Sequence, residues 1–476
     1  MMQLALFALF AWVPAVILLF IMLPPRRAVI VSFLAGWMFL PLLVLKITGI
    51  PDISKVSATS ATVMLAVLAF DGRRLLSFRP RWFDLPMLLW IVVPFVSSLV
   101  NQRGMWDGGS RMLSAILFWG IPYLVGRLYF TDLIAIRELA IGLFVAGLVY
   151  MPLCIWEIRM SPQLHNQFYG FRASGMLRGP GLGLPGFRPN VFIGHGLEVA
   201  MFMVMCTLSG FWLWKTKAMK ELWGLPVGLL VLGLWGTTIL CKVLGAIMLL
   251  HLGIVAICSP KFLRTSVVVL MLIAAPLLYM AVCAGGSFTG DAAISMIRLI
   301  NETRADSLQF RLDAENEILR NTMDKPIFGY GSDPQWRARL SDDPNAKAVV
   351  TDGMWIIALG QGGLFALLAL TTALLVPPFL IWRRMPAAFW EHPAFAPVVG
   401  LAVMLVCFMI DSLFNATINM ISLLIAGAVN SMVPLLQSSN AAQQSQPAYS
   451  RTRVNARQAQ QQQTRPPVRR PAAYAS

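Results

Sequence analysis

The segment Arg298–Gly363 interrupts an otherwise apolar chain, and it reads RLINETRADSLQFRLDAENEILRNTMDKPIFGYGSDPQWRARLSDDPNAKAVVTDGMWIIALGQGG. The range Asp291–Asp352 contains 11 of the chain's 22 carboxylates together with eight lysines and arginines. Charge gathered in one place between apolar segments predicts a long loop outside a membrane. We therefore expect this loop, with a second one that ends at Asn190, to form the working face of the protein.

The composition on both sides of this loop is typical of a membrane protein. The chain has 476 residues, of which 57% are hydrophobic and 13% are charged, whereas a soluble domain carries about 25% charged residues. Apolar runs of roughly 18 or more residues recur along the chain, and each can cross a bilayer as a helix. The net charge of +16 would suggest nucleic acid as a partner of a soluble protein. Here we attribute it to cytoplasmic loops and expect no nucleic-acid partner.

The apolar windows predict an all-α integral membrane protein, a polytopic bundle of about 13 transmembrane helices (about 12 to 14) with two long outer loops. The predicted spans start near Leu4, Ala28, Val56, Leu85, Met112, Leu133, Val191, Leu222, Val243, Ser266, Gly353, Ala394 and Asn415. The first has no basic leader, so we expect an uncleaved helix with its N-terminus outside. In that register the cytoplasmic loops hold 15 lysines and arginines and the short outer loops five, the bias expected of cytoplasmic loops.

The predicted topology divides the chain into six parts. They are N-terminal helices (1–156), a first outer loop (157–190), central helices (191–286), a second, partly helical outer loop (287–351), C-terminal helices (352–436) and a tail (437–476). The tail is rich in glutamine and proline and has six arginines and no acid, which predicts disorder on the cytoplasmic side. The six cysteines lack a CxxC motif and metal-ligand spacing, so we expect no metal and no cofactor.

The first outer loop contains arginines without acidic neighbours. Residues 165–196 are rich in glycine and proline, and their arginines are Arg172, Arg178 and Arg188. Because arginine binds phosphate bidentately, this cluster predicts a site for an anion such as pyrophosphate. The alternative is that these side chains contact lipid head groups or water. Pro189 is expected in the first turn of the helix that follows.

The second outer loop has a helical pattern from Ala305 to Asn321, and Pro326 is expected to end it. Arg311 and Glu315 are four residues apart and are expected to pair on this helix. After it, two glycines flank Tyr330, which would let the backbone approach a sugar or phosphate, with the Tyr330 ring as a stacking face.

Asp352 precedes the next membrane helix. A carboxylate there is favoured by the helix dipole, so an ordinary N-cap is one interpretation. The other is a general base at the membrane surface that accepts the proton of an acceptor hydroxyl. Asp411, inside the next-to-last span, is a second carboxylate that needs a partner, and Asn415 lies nearby.

Three short motifs, in this order, resemble the superfamily of O-antigen ligases and polysaccharide polymerases. The motifs are Arg172-Ala-Ser-Gly175 with Arg188-Pro-Asn190, Arg311 with Pro326-Ile-Phe-Gly-Tyr-Gly331, and Asp352 with Gly360-Gln-Gly-Gly363. The topology, many spans with one large outer loop late in the chain, is similar over almost the whole length. Ligases of the family have a histidine at the position of Asp352, and the usual Arg-then-Trp spacing after Arg311 is missing. The difference favours a polymerase or a divergent glycan transferase, and an inactive paralogue is a further alternative.

The resemblance implies an enzyme that joins a glycan carried by undecaprenyl pyrophosphate to an acceptor at the outer face of the bacterial inner membrane, without nucleotide sugar or metal. Arg172, Arg188 and Arg311 match the family's arginines that hold the lipid pyrophosphate, a leaving group whose charge fixed cations stabilise. We take Asp352 and Arg311 as the candidate catalytic residues, and add Arg178 and Tyr330 as candidates for substrate binding. The expected partners are the lipid-linked glycan, membrane lipids and other polysaccharide-assembly proteins.

Two other functional classes stay open. A transporter or flippase for a lipid-linked glycan would place charged residues within several spans, whereas here the charges gather in outer loops. A non-catalytic membrane component of a polysaccharide or secretion assembly would tolerate substitution of the candidate residues. We therefore rank a polysaccharide polymerase first, with a ligase as its near variant.

Overall fold

A computed structural model of the protein describes residues 2–47, 51–172, 185–285, 290–300, 302–337 and 352–444. The helices are α1 (Met2–Met22), α2 (Pro25–Phe39), α3 (Lys55–Leu76), α4 (Leu85–Val100), α5 (Gly104–Ala115), α6 (Ile121–Tyr129), α7 (Leu133–Met160), α8 (Leu164–Tyr169), α9 (Gly196–Lys215), α10 (Val227–Leu240), α11 (Leu244–Leu263), α12 (Val267–Ala284), α13 (Asp291–Ile300), α14 (Glu302–Thr322), α15 (Met354–Arg384), α16 (Ala396–Phe414) and α17 (Met420–Gln444). A π-helical turn, Ile116–Gly120, joins α5 to α6. The two short strands, β1 (Glu221–Leu222) and β2 (Leu225–Pro226), pair antiparallel.

Nine helices within the described ranges are long and apolar enough to cross a membrane. They are Gln3–Met22, Trp82–Val100, Gly104–Tyr129, Leu133–Met160, Gly196–Lys215, Leu244–Leu263, Val267–Ala284, Met354–Arg384 and Ala396–Phe414, and two shorter apolar helices are Val227–Leu240 and Met420–Leu436. The expected all-α membrane architecture is therefore confirmed. The count of about 13 spans stays a prediction, because α2 is short and α3 carries Asp71, Arg73 and Arg74 near its end.

The helices differ in how much of their surface other helices cover. α9 and α16 are almost enclosed, whereas α1 is mostly exposed and presents Phe7 and Phe10 outward. Asp411, inside α16, has the partner that its position required: Nδ2 of Asn415 donates to its Oδ1 at 2.8 Å. α17 continues to Gln444, into the segment predicted as a tail, and residues 445–476 lie outside the described part of the chain.

A buried ionic cluster joins the start of α4 to α6 and α17. Oδ1 of Asp84 accepts hydrogen bonds from Nε of Arg127 (2.8 Å) and from the Tyr123 hydroxyl (2.6 Å), and Nη2 of Arg127 donates to Oδ2 at 3.1 Å. The backbone N–H of Arg81 donates to Oδ2 as well, at 2.8 Å. Nδ2 of Asn430 donates to the Tyr123 hydroxyl at 2.8 Å. Because the carboxylate accepts four hydrogen bonds, we assign this cluster a structural role.

Candidate functional site

The two predicted catalytic residues, Arg311 and Asp352, form an ion pair. Nη2 of Arg311, in the middle of α14, lies 3.1 Å from Oδ2 of Asp352, and the side chains are 35% and 44% exposed. Asp352 precedes α15, whose N-cap is Gly353 and has no side-chain hydrogen bond. Asp352 therefore does not act as the ordinary N-cap that the sequence left open. Its carboxylate stands at the positive end of a helix dipole, beside a guanidinium, and is partly exposed.

Behind this pair lies a buried carboxyl, Glu315. The hydroxyl of Tyr279, from α12, donates to Oε2 of Glu315 at 2.9 Å. The expected pairing of Arg311 with Glu315 is therefore wrong, because Arg311 turns to Asp352 and a tyrosine from another helix binds Glu315. Burial raises the pKa of the Glu315 carboxyl to about 7, while Tyr279, Trp355 and the charge of Arg311 act in the opposite direction. A carboxyl that titrates near neutral pH is suited to accept or donate a proton.

The two glycine motifs of the sequence bind each other. α15 is broken at Gly363, whose φ of 64° and ψ of −158° are not helical. The 326–331 loop lies against this break and exchanges backbone hydrogen bonds with it. The bonds run from the N–H of Tyr330 to the carbonyl of Gly360 and from Gly331 to Gln361 (both 2.9 Å), and from Leu364 to Pro326 (2.8 Å) and Phe365 to Ile327 (3.4 Å). The loop thus supplies the partners that the interrupted helix lacks.

Glycine is required on both sides of this contact. A Cβ atom at Gly363 would lie 2.3 Å from the carbonyl oxygen of Ile327, and one at Gly329, where φ is 61°, would lie 2.7 Å from that of Gly360. These glycines therefore allow one backbone to approach another, where the sequence suggested an approach to a sugar or phosphate.

Side chains of α4 hold the 326–331 loop in place. Oγ of Ser97 lies 2.6 Å from the carbonyl oxygen of Phe328 and 2.9 Å from that of Gln361. Nδ2 of Asn101 donates to the carbonyl of Gly329 at 2.8 Å. The 326–331 loop follows α14, which carries Arg311, and the break at Gly363 lies in α15, which follows Asp352. The contacts between loop and break therefore fix the positions of Arg311 and Asp352 relative to each other.

The ring of Tyr330 does not provide the expected stacking face. Its side chain is 5% exposed, and its hydroxyl donates to the carbonyl of Asn321 at 2.9 Å. Nζ of Lys325 lies 4.7 Å from the centre of the ring. The neighbouring glycines allow the backbone at Tyr330 to lie close to α15, and the ring is buried in this contact.

The first outer loop contributes Arg188 to a different set of contacts. Nη2 of Arg188 donates to the carbonyl of Lys242, between α10 and α11, at 3.2 Å. Arg172 is exposed, and Arg178 lies outside the described residues. The sequence predicts Pro189 in the first turn of the next helix. This prediction is wrong, because α9 begins only at Gly196. The meeting of Arg172, Arg188 and Arg311 around one anion stays a prediction.

Two buried charged residues that the sequence did not single out hold the end of this loop. Glu157 accepts from the backbone N–H groups of Leu164 (3.0 Å), Asn190 (2.8 Å) and Val191 (2.7 Å). Nζ of Lys55 donates to the carbonyls of Phe192 (3.1 Å), Ile193 (3.1 Å) and Trp37 (3.3 Å). The hydrogen bonds of both charges go to backbone groups, and Nζ of Lys55 also lies 4.5 Å from the centre of the Trp37 ring, so no charge pattern in the sequence could have revealed these contacts.

Among the described residues, no group of three or more histidine, cysteine, aspartate or glutamate side chains could hold a metal ion. Comparison of the sequence with known protein families gives no match, and comparison with curated proteins gives none either. Function is therefore inferred from the geometry at the start of α15 and from the family resemblance of the motifs that meet there.

Proposed function

We propose that this protein is a membrane glycosyltransferase of cell-surface polysaccharide biosynthesis. It polymerises or transfers a glycan linked to undecaprenyl pyrophosphate at the outer face of the bacterial inner membrane. The observation that carries the proposal is the half-exposed ion pair between Arg311 and Asp352 at the start of α15. It joins residues from two of the three motifs that resemble the O-antigen ligase and polymerase superfamily.

In this proposal Asp352 acts as the general base. Its carboxylate takes the proton of the acceptor hydroxyl, whose oxygen then forms a bond to the anomeric carbon of the donor glycan. The bond from that carbon to the pyrophosphate oxygen breaks, and the electron pair leaves with the pyrophosphate. Arg311 stabilises the charge that develops on this leaving group. Glu315 is a second candidate for holding the proton, because its pKa is raised to about 7 by burial.

We further propose about 13 spans, an N-terminus outside and a C-terminus in the cytoplasm. Ion pairs near the helix ends support this register. Arg26 pairs with Asp132 and Arg27 with Glu138, and the register assigns all four residues to the cytoplasmic side. Arg103 pairs with Asp333, and both are assigned to the outer side. Each of these pairs joins residues that the register assigns to the same side of the membrane.

The test is complementation of a deletion strain, scored by the chain length of its surface glycan. Asp352→Asn keeps the size of the side chain and removes the base, and Arg311→Ala removes the cation. We expect both to abolish polymer while the protein reaches wild-type levels in the membrane by immunoblot. The matched control is Asp313→Asn, an exposed carboxylate on the same helix as Arg311, which should leave polymer unchanged. Wild-type polymer with Asp352→Asn would reject the proposed base.

A transporter or flippase of the lipid-linked glycan is the second candidate, favoured by the break in α15 at Gly363. Interrupted helices line the binding sites of many transporters. The two functions predict different intermediates in the deletion strain. A missing transferase leaves lipid-linked repeat units exposed to a glycosidase added outside the inner membrane, whereas a missing transporter leaves them protected inside.

A further inference from the structure

A cavity of about 550 Å³ lies beside the first turns of α15, where α4 and the α5–α6 segment pack against it. Its lining includes Trp90, Arg111, Phe118, Trp119, Ile357 and Gln361. The volume is within the range of roughly 300–1,000 Å³ that is typical of small-molecule sites. None of the six was a candidate for binding in the sequence.

The wall of the cavity contains a cation and further hydrogen-bond donors. Arg111 lies about 10 Å along α5 from its start at Gly104, and its Nη2 donates to Oε1 of Gln361 at 3.1 Å. The amide nitrogen of Gln361 is a second donor. Charged groups within membrane spans usually face a cavity or bind a ligand.

Deeper in the bundle the lining becomes aromatic. Trp119 lies about 12 Å beyond Arg111 along the α5–α6 segment, at roughly 1.5 Å per residue. The rings of Trp90 and Trp119 are 4.7 Å apart between their centres, and Phe118 adjoins them in the lining. One cavity therefore presents a guanidinium and an apolar aromatic wall.

Two of the three surrounding helical segments have an irregular backbone next to the cavity, and the third contains a proline that lines it. α5 and α6 meet in the π-helical turn Ile116–Gly120, α4 contains Pro94, and α15 is broken at Gly363. Irregular backbone at membrane depth is tolerated where it lines a cavity inside the protein, and π-helical turns are frequent at functional sites. The irregularities thus coincide with the polar and aromatic lining.

We propose that this cavity binds the phosphate end of a single-chain lipid. Arg111 pairs with the phosphate, and the chain lies against Trp90 and Trp119. A phosphate offers three acceptor oxygens to the several N–H donors of Arg111 and Gln361, whereas a carboxylate offers two. A cavity of about 550 Å³ is large enough for a phosphate and the start of one chain.

Two carboxylates lie near Arg111. Asp52 lines the cavity but is exposed, so water screens its charge. Asp107 is one turn before Arg111, and its Oδ2 accepts from the hydroxyls of Ser98 (2.7 Å) and Ser332 (3.2 Å).

The natural lipid of this cavity would be the polyprenyl carrier. This identity of the lipid, but not the binding of a single-chain phosphate, rests on the proposed function.

Direct binding tests the site without any transfer reaction. The full chain, purified in detergent, is titrated with farnesyl phosphate by thermophoresis. We expect saturable binding that Arg111→Met weakens by roughly 10- to 100-fold, the loss expected for a charge-assisted contact. Arg159→Met is the matched control, because this exposed arginine ends α7 outside the cavity, and it should bind like the wild type. Farnesol and inorganic phosphate, which each lack one half of the ligand, should bind more weakly than farnesyl phosphate.

A second variant tests whether binding needs the volume of the cavity, and it leaves the charge of the cavity unchanged. Ser114 lines the cavity, and Ser114→Phe fills it, so farnesyl phosphate should bind at least about tenfold more weakly. This variant decides the matter if Arg111→Met does not give folded protein by size-exclusion chromatography. Wild-type affinity in either folded variant would overturn the proposed site. Equal affinity for dioleoyl phosphatidic acid or for oleate would overturn the assignment to a single-chain phosphate.

Binding and transfer can fail separately. If farnesyl phosphate binds as expected but the deletion strain makes normal polymer, the cavity stands and the proposed enzyme function fails. If the deletion strain lacks polymer but Arg111→Met binds like the wild type, the enzyme function stands and the cavity proposal fails.

Discussion

Two arginine–carboxylate pairs in this molecule use the same chemical groups in opposite surroundings. The pair of Arg127 with Asp84 is 7% and 3% exposed, and two guanidinium nitrogens contact the two carboxylate oxygens. The pair of Arg311 with Asp352 is 35% and 44% exposed, and Nη2 and Oδ2 are 3.1 Å apart. In the first pair tyrosine and backbone groups add hydrogen bonds. In the second, water can reach both partners.

The comparison distinguishes an ion pair that stabilises the fold from an ion pair whose partners can bind other groups. A buried and fully hydrogen-bonded pair resists any rearrangement, because removing one partner leaves a buried charge. A half-exposed pair contributes little to stability. Separating its two partners, as binding of a substrate to either of them would require, therefore costs little free energy. The four predictions below test this difference through the stability of variants.

The largest loss of stability is expected at the buried pair. Arg127→Met leaves the Asp84 carboxylate buried without its cation and should lower the free energy of unfolding by roughly 3–5 kcal/mol. The measurement is unfolding in detergent micelles, followed by tryptophan fluorescence. The double variant Arg127→Met with Asp84→Leu should recover much of the loss, because no buried charge is left. A double variant less stable than the single one would contradict this view of the cluster.

The next loss is expected where α15 is broken. Gly363→Ala places a Cβ atom 2.3 Å from the carbonyl oxygen of Ile327, in a backbone region that only glycine adopts readily. We expect roughly 2–4 kcal/mol of destabilisation from strain and from the displaced 326–331 loop. The control is Gly236→Ala in α10, where an added Cβ meets nothing within 4 Å. Equal stability of the two variants would show that the loop does not need this glycine.

Local sequence patterns predicted the helices of the outer loop better than they predicted its contacts. The helix expected from Ala305 to Asn321 is α14, Glu302–Thr322, because periodicity and a following proline are local signals. The i, i+4 pairing of Arg311 with Glu315 failed because Tyr279, from a distant helix, competes for Glu315. No local rule reveals such a competitor.

The candidate site shows the same limit. The sequence predicts a special backbone around Tyr330 and contains the glycines of 360–363, but nothing in it indicates that the two segments contact each other. Only the folded chain shows that they exchange backbone hydrogen bonds. Arg111 directly precedes the span predicted from Met112, and nothing in its neighbourhood of the sequence indicates the cavity beside α4 and α15.

An effect of similar size, but dependent on pH, is expected at Glu315. Its pKa is about 7 in the folded protein, raised by burial from 4.5, so the folded state keeps the proton over a pH range in which the unfolded state has lost it. The free energy of unfolding should therefore fall as the pH rises from 4.5 to about 7 and stay level above that. Glu315→Gln should remove this slope, whose total is on the order of 3 kcal/mol. Glu317→Gln, at a more exposed carboxylate of α14, should keep it, and a slope unchanged in Glu315→Gln would assign the titration to another group.

The smallest change of stability is expected at the pair proposed for catalysis. Arg311→Met removes a half-exposed ion pair, so the free energy of unfolding should change by less than about 1 kcal/mol. The same variant should make no polymer, because the leaving pyrophosphate loses a cation. Unfolding in micelles and polymer length in the complemented strain measure the two effects on one variant. Arg127→Met, by contrast, should lower polymer only in proportion to the protein that remains in the membrane. A loss of several kcal/mol in Arg311→Met would mean that this pair, like that of Arg127 with Asp84, holds the fold.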